Sequence, residues 1–245
     1  MTVNDIKKLE RKYSDFMLIK NMPVYNIMTK KISLSKAETD GFDSIAQTTY
    51  IPDTQEHTLI VADNINIEPY ILFHEFTHIL DAEIYAKGDK TKYALSSGYT
   101  EYHASQIELF LLLGASSIND QISFSVSQSI TTIAGKKTVR QYIDMKRNHA
   151  VDLFQRIDFP KDLEQLKTAI GLLFNYWGLR SICYMYCEDF DEETDNTAFT
   201  HYIPASDFNL MNKLMVGWLS EGMIDLSCKG YGAIIMPLIK KFSLA

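Results

Sequence analysis

The stretch HEFTH, residues 74–78, constrains the chain more than any other segment. Two histidines four positions apart become neighbours on one face when the backbone between them is helical. There, two neutral imidazoles can hold a single zinc ion. Glu75 follows the first histidine directly, so its carboxylate approaches the same place from the flank. That placement suits a general base acting on metal-activated water better than a ligand. Such a site further requires a capped helix, a third ligand and an open fourth position.

The flanking residues supply the helix. Two β-prone runs, 48–51 and 58–62, are separated by a turn containing Pro52 and Asp53. Residues 63–66 provide turn and cap chemistry, and Pro69 fits a first helical turn. A helix is predicted over 68–86, stopping near Gly88. Ile71, Leu72, Phe76, Ile79 and Leu80 occupy its other faces and anchor it in a core. Asp81, three residues after His78 and seven after His74, is expected to take a proton from the second ring nitrogen of a ligand histidine.

A second helix is predicted over 99–113, where TEYHASQIELF offers Glu101, His103 and Glu108 as third ligands. Glu101 and Glu108 lie seven positions apart on a shared face, and His103 points away from it. Spacing alone separates the two glutamates poorly.

These two segments together resemble the zincin metallopeptidases, in particular the gluzincin-like ones whose third ligand is a glutamate. Glu101 and Ala104 in EYHASQIELF look like the E-x-x-A arrangement of the ImmA/IrrE-like minimal peptidases, where the small residue lets the two helices approach. The resemblance covers about residues 45–115. It implies His74, His78 and Glu101 as zinc ligands and Glu75 as base in the hydrolysis of a peptide bond. The chain departs from the small form by its further residues, 116–245, and by lacking a recognisable DNA-binding segment.

The expected architecture is therefore α+β. A zincin-like core with a small sheet and the motif helix spans residues 1–115, and a mostly helical region, 116–245, packs on it or forms a subdomain. A helix over 3–21 is read as packing. Helices are further predicted over 138–154, from Pro160, over 163–186, over 207–218 and over 232–242. Residues 24–35 read as short β-prone runs and 37–46 as a turn or short helix. The serine- and threonine-rich stretch 116–137 has no clear assignment, the close carboxylates of 188–196 read as a loop, and Gly230 and Gly232 read as a helix boundary.

Of 245 residues, 46% are hydrophobic and 22% charged, enough to bury a substantial core. The net charge of −7 gives no reason to expect a nucleic-acid surface. Three cysteines do not make a disulfide framework, and Cys183 and Cys187, without complementary ligands nearby, read as small buried side chains. No signal peptide or membrane span is read, so a cytoplasmic protein is expected. The expected partner is a peptide or protein substrate, in extended form where a strand before Pro69 offers a free edge. Tyr99, Tyr102 and His201 are candidate donors to an oxyanion. The competing reading is a zinc-stabilised interaction protein with little turnover, which a fourth protein ligand or a covered metal would favour.

Overall fold

The computed structural model describes residues 2–32, 45–192 and 195–243, with side chains up to residue 240. The short element expected over 37–46 falls almost wholly outside them. An α+β N-terminal region with a small mixed sheet leads into a predominantly helical C-terminal region.

Helix α1 (Val3–Met17) opens with a capping box at Thr2 and Asp5 and ends at Leu18 in the left-handed conformation. It buries Ile6, Tyr13 and Phe16. Strands β1 (Tyr25–Lys30), β2 (Ala46–Ile51) and β3 (Glu56–Ala62) form one sheet in the order β1-β3-β2. β1 runs parallel to β3, and β2 antiparallel to it, with Thr48 opposite Leu59. Leu59 and Val61 are fully buried, so β3 is the central strand and β2 an edge among the described residues.

The motif helix α2 (Pro69–Asp81) starts with proline in its first turn and continues as a π-helical turn, Ala82–Ala86, up to Lys87. Phe73, Phe76, Thr77, Ile79 and Leu80 form its hidden side. Tyr13 of α1 packs edge-on against Phe73, and its hydroxyl donates to Thr77 at 3.0 Å. A buried bond of this kind contributes about 1 kcal/mol net, and losing one partner costs more because the other is left unsatisfied.

Helix α3 (Lys90–Leu112) begins nine residues earlier than the sequence pattern suggests. Asp89 caps it by accepting from the backbone of Thr91 and Lys92, and this cap recruits the polar KTKYALSSG segment into the helix. The Ser/Thr-rich stretch contains a hairpin, β4 (Ser129–Thr132) with β5 (Gly135–Thr138). Its turn is tied down by the Ile133 amide donating to the Tyr70 hydroxyl at 3.0 Å.

Helices α4 (Val139–Phe154), α5 (Leu163–Tyr186), α6 (Thr197–Thr200), α7 (Ala205–Leu214) and α8 (Glu221–Ser243) follow. Gly230 and Gly232 lie inside α8 rather than at its boundary. A methyl group at Gly230 would come within 2.1 Å of Met211 Sδ, so close helix contact accounts for that glycine. Residues 188–192 and 195–196 of the acidic segment are non-helical as expected, and Glu192 has partners: it accepts from Tyr176, from the buried Arg180 at 2.8 Å and from Tyr184. The main core is continuous from Ile6 to Leu238, and α3 runs through it in contact with α2, α5 and α8. No described helix is long and apolar enough to cross a membrane.

Candidate metal centre

Burial of the Phe73, Phe76 and Thr77 side of α2 turns His74 and His78 to the opposite side, where they are only partly exposed. Their rings meet edge to face with centroids 4.8 Å apart, as the four-residue spacing demands. α3 crosses this face and brings Glu101 to it. Glu101 Oε2 lies 3.6 Å from His74 Nε2 and 3.7 Å from His78 Nε2. One ligand atom from each of these three residues falls within 4.8 Å of the others, and they are the metal-type cluster found among the described residues.

Both rings are held from behind. His74 Nδ1 is 2.9 Å from Glu108 Oε2, and His78 Nδ1 is 2.8 Å from Thr100 Oγ1. A carboxylate only accepts, so Nδ1 of His74 carries a proton, and Nε2, the nitrogen that faces Glu101, is the one on which a metal would replace a proton. Glu108 is itself fixed by the Tyr142 hydroxyl and by Lys146 Nζ at 3.4 Å.

The donor set fits a divalent cation. Bonds of 2.0–2.1 Å in tetrahedral geometry place ligand atoms about 3.3 Å apart, a small contraction from the 3.6 and 3.7 Å between Glu101 and the two histidines. The electrostatics agree. Burial by itself lowers the pKa of His74, but the Glu101 and Glu108 carboxylates outweigh it and carry the ring to about 10. Burial raises Glu101, and the His78 and His74 rings with the Asn175 amide overcome it and hold the carboxyl at about 2. The cluster is built for positive charge at its centre.

Glu75 sits one residue round the helix from His74. It is 9% exposed, and its carboxylate accepts from the hydroxyl of Thr48 on β2. Two cavities meet at this glutamate. The larger, 380 Å³, runs along β2 past His78, Thr100 and Glu101 to Lys167 on α5. The smaller, 290 Å³, extends the other way between Tyr70, Ile133 of the hairpin turn, Met145 and Lys146. Ala46, His74, Glu75 and Asn175 line both.

Not every expected residue arrives here. Asp81 takes no proton from a ligand imidazole, because its carboxylate oxygens lie 3.0 Å from His103 Nδ1 instead. Helical rise puts Asp81 about 10 Å along the axis from His74, and Nδ1 of the nearer His78 is already engaged by Thr100 across the helix interface. His103 is thereby removed from the cluster and stacks on Tyr99. Tyr99, Tyr102 and His201 line neither cavity. Tyr102 is fully buried with its hydroxyl on Ser181 and the Gly217 carbonyl, and His201 is exposed beside Tyr202.

Four residues at the site escaped the sequence reading in their actual roles. Thr100 and Glu108 were findable, since they flank Glu101 at positions that face α2. Thr48 and Asn175 carry no local signal. Comparison with protein-family models, with curated proteins and with solved structures finds no match. Two histidines of an H-E-x-x-H helix and a glutamate from the next helix form a cluster consistent with a zincin-type metal site.

Proposed function

We propose that the protein is a zinc-dependent peptidase that cleaves within an extended polypeptide, using His74, His78 and Glu101 as ligands and Glu75 as general base. The observation that carries this reading is the position of Glu75 beside a three-residue ligand cluster, at the point where the two cavities meet. A purely structural zinc site is closed by four protein ligands and has no use for a carboxylate poised next to it.

When bound, the zinc supplies a Lewis acid that acidifies water and polarises a carbonyl. The remaining work falls to side chains. The Nδ1 bonds of His74 and His78 keep both Nε2 lone pairs directed at the centre. Thr48 fixes one oxygen of the Glu75 carboxylate. The other oxygen is left to take a proton from the attacking water and pass it to the departing amine. Cavities on both sides of Glu75 leave room for chain before and after the cleaved bond. The backbone of β2, an edge strand running along the larger cavity, can align that chain by strand addition.

The test is metal content together with cleavage of an unstructured peptide library by wild type and Glu75→Gln. The variant is expected to keep its zinc and lose turnover by about 10²–10⁴-fold. Equal cleavage by both proteins would remove Glu75 as the base, and absence of cleavage by a zinc-loaded wild type would favour an interaction protein.

A further inference from the structure

The third ligand differs from the two histidines in how it is held. Each imidazole has a partner on α3, but Glu101 belongs to α3 itself and needs an orienting group from elsewhere. α5 provides one. Gly171, Asn175 and Gly178 recur at spacings of four and three, which places them on one helical face. That face lies hard against α3. A methyl group at Gly178 would stand 2.2 Å from the Tyr102 carbonyl oxygen and 3.0 Å from Ser105 Cβ. One at Gly171 would touch the Glu101 stem at 3.7 Å. Asn175, between the two glycines, is therefore pressed into the ligand helix between Glu101 and Ser105.

Its amide can be oriented in only one way. Ionised Glu101 accepts hydrogen bonds and donates none, so the NH₂ group is the end of the Asn175 amide suited to face it across the cavity that both residues line. Oδ1 then points the other way, where the Ser105 hydroxyl donates to it at 2.7 Å. Asn175 is 9% exposed, so water competes little with Ser105 for the amide.

We propose that Asn175, held by Ser105, is the positioning residue that orients Glu101 as a metal ligand. The inference rests on the metal-site reading and extends it from the first helix pair to a residue on α5. Ser105, Asn175 and Glu101 form a relay that does for the carboxylate what Glu108 does for His74. Through it, the C-terminal helical region completes a site whose motif lies wholly in the N-terminal part of the chain.

The experiment compares full-length wild type with Asn175→Ala, Asn175→Asp and Ser105→Ala. Zinc affinity is read by chelator competition, and ligand geometry by the visible absorption of the cobalt-loaded proteins. Asn175→Asp keeps the shape and replaces the donor by a second acceptor, so it stays informative where the alanine variant folds poorly. Both Asn175 variants are expected to lose about 10- to 100-fold in zinc affinity and to shift the cobalt bands. Ser105→Ala, which frees the amide but leaves its donor, is expected to lose less. Wild-type affinity and an unchanged cobalt spectrum in Asn175→Asp and Ser105→Ala would overturn the assignment and leave the metal site standing. A wild-type protein that takes up neither zinc nor cobalt would overturn the metal site and this inference together.

Discussion

Glu108 stands directly behind His74, with Oε2 2.9 Å from Nδ1. Two turns along the same helix face, Glu101 approaches Nε2 of the same ring at 3.6 Å. One helix thus grips a single imidazole from both of its nitrogens, one carboxylate setting the tautomer and the other sharing the centre.

That grip makes Glu108 a determinant of metal affinity. Glu108→Ala leaves the Nδ1 proton of His74 without its acceptor and Lys146 and Tyr142 without their shared partner. Zinc affinity should fall about 10- to 100-fold by chelator competition. Glu108→Gln retains a carbonyl acceptor and should lose less. Equal affinity in wild type and Glu108→Ala would show that His74 needs no support.

Acid should weaken the fold through His57. This ring stacks on Tyr50 at 4.4 Å, and its Nδ1 is buried without a partner. Burial lowers its pKa below the ordinary 6.5, against an opposing pull from Glu83. A folded-state pKa below the unfolded one means that the unfolded chain binds the proton more tightly. The stabilisation is complete above 6.5 and is lost as pH falls through the lower folded value. His57→Phe preserves the stacking and removes the titration. Its melting temperature should therefore fall less steeply than that of wild type between about pH 7 and 5. Parallel curves would show that His57 does not contribute.

The contact between α3 and α5 should tolerate no side chain at Gly178. The added methyl of Gly178→Ala meets backbone, the Tyr102 carbonyl at 2.2 Å, which cannot swing aside as a flexible side chain can. A loss of about 1–3 kcal/mol in denaturant unfolding is expected. Gly135, by contrast, has nothing within 4 Å of an added methyl, but its φ of +93° makes Gly135→Ala a test of backbone strain alone.

All three thiols should be slow to react in the native protein. Burial pushes Cys183 and Cys187 up and raises Cys228 to about 11, so the reactive thiolate is scarce near neutrality. A thiol reagent at neutral pH should titrate three groups rapidly only after denaturation. Immediate reaction of Cys183 in the native state would contradict its complete burial.

How much of this was legible in the residues follows from the range of the interactions. HEFTH, Pro69 and the apolar positions of α2 act within a few turns of one helix, and their geometry is set by the 3.6-residue repeat. The helix, the shared face of His74 and His78 and the flanking position of Glu75 could accordingly be read directly. The start of α3 could not, because the capping effect of Asp89 outweighs a weakly patterned polar segment. The hairpin at 129–138 was hidden for a similar reason. Short strands of serine, threonine and lysine show no apolar alternation, and their turn is held by the Thr132 hydroxyl and by the distant Tyr70.

At the centre itself, the boundary falls between Glu101 and Glu108. Seven residues apart on one face, they are equivalent to any rule of spacing, and resemblance rather than periodicity favoured Glu101. The crossing of α3 over α2 separates them. It sets Glu101 against the two Nε2 atoms and Glu108 against Nδ1 of His74, and it gives His78 to Thr100, leaving Asp81 to His103. Thr48 and Asn175 come from a strand and a helix remote in sequence, brought in by sheet pairing and by glycine-mediated helix contact. The chemistry of the motif is local and can be read along the chain. The partners that orient it depend on interhelical packing, which no short stretch of residues encodes.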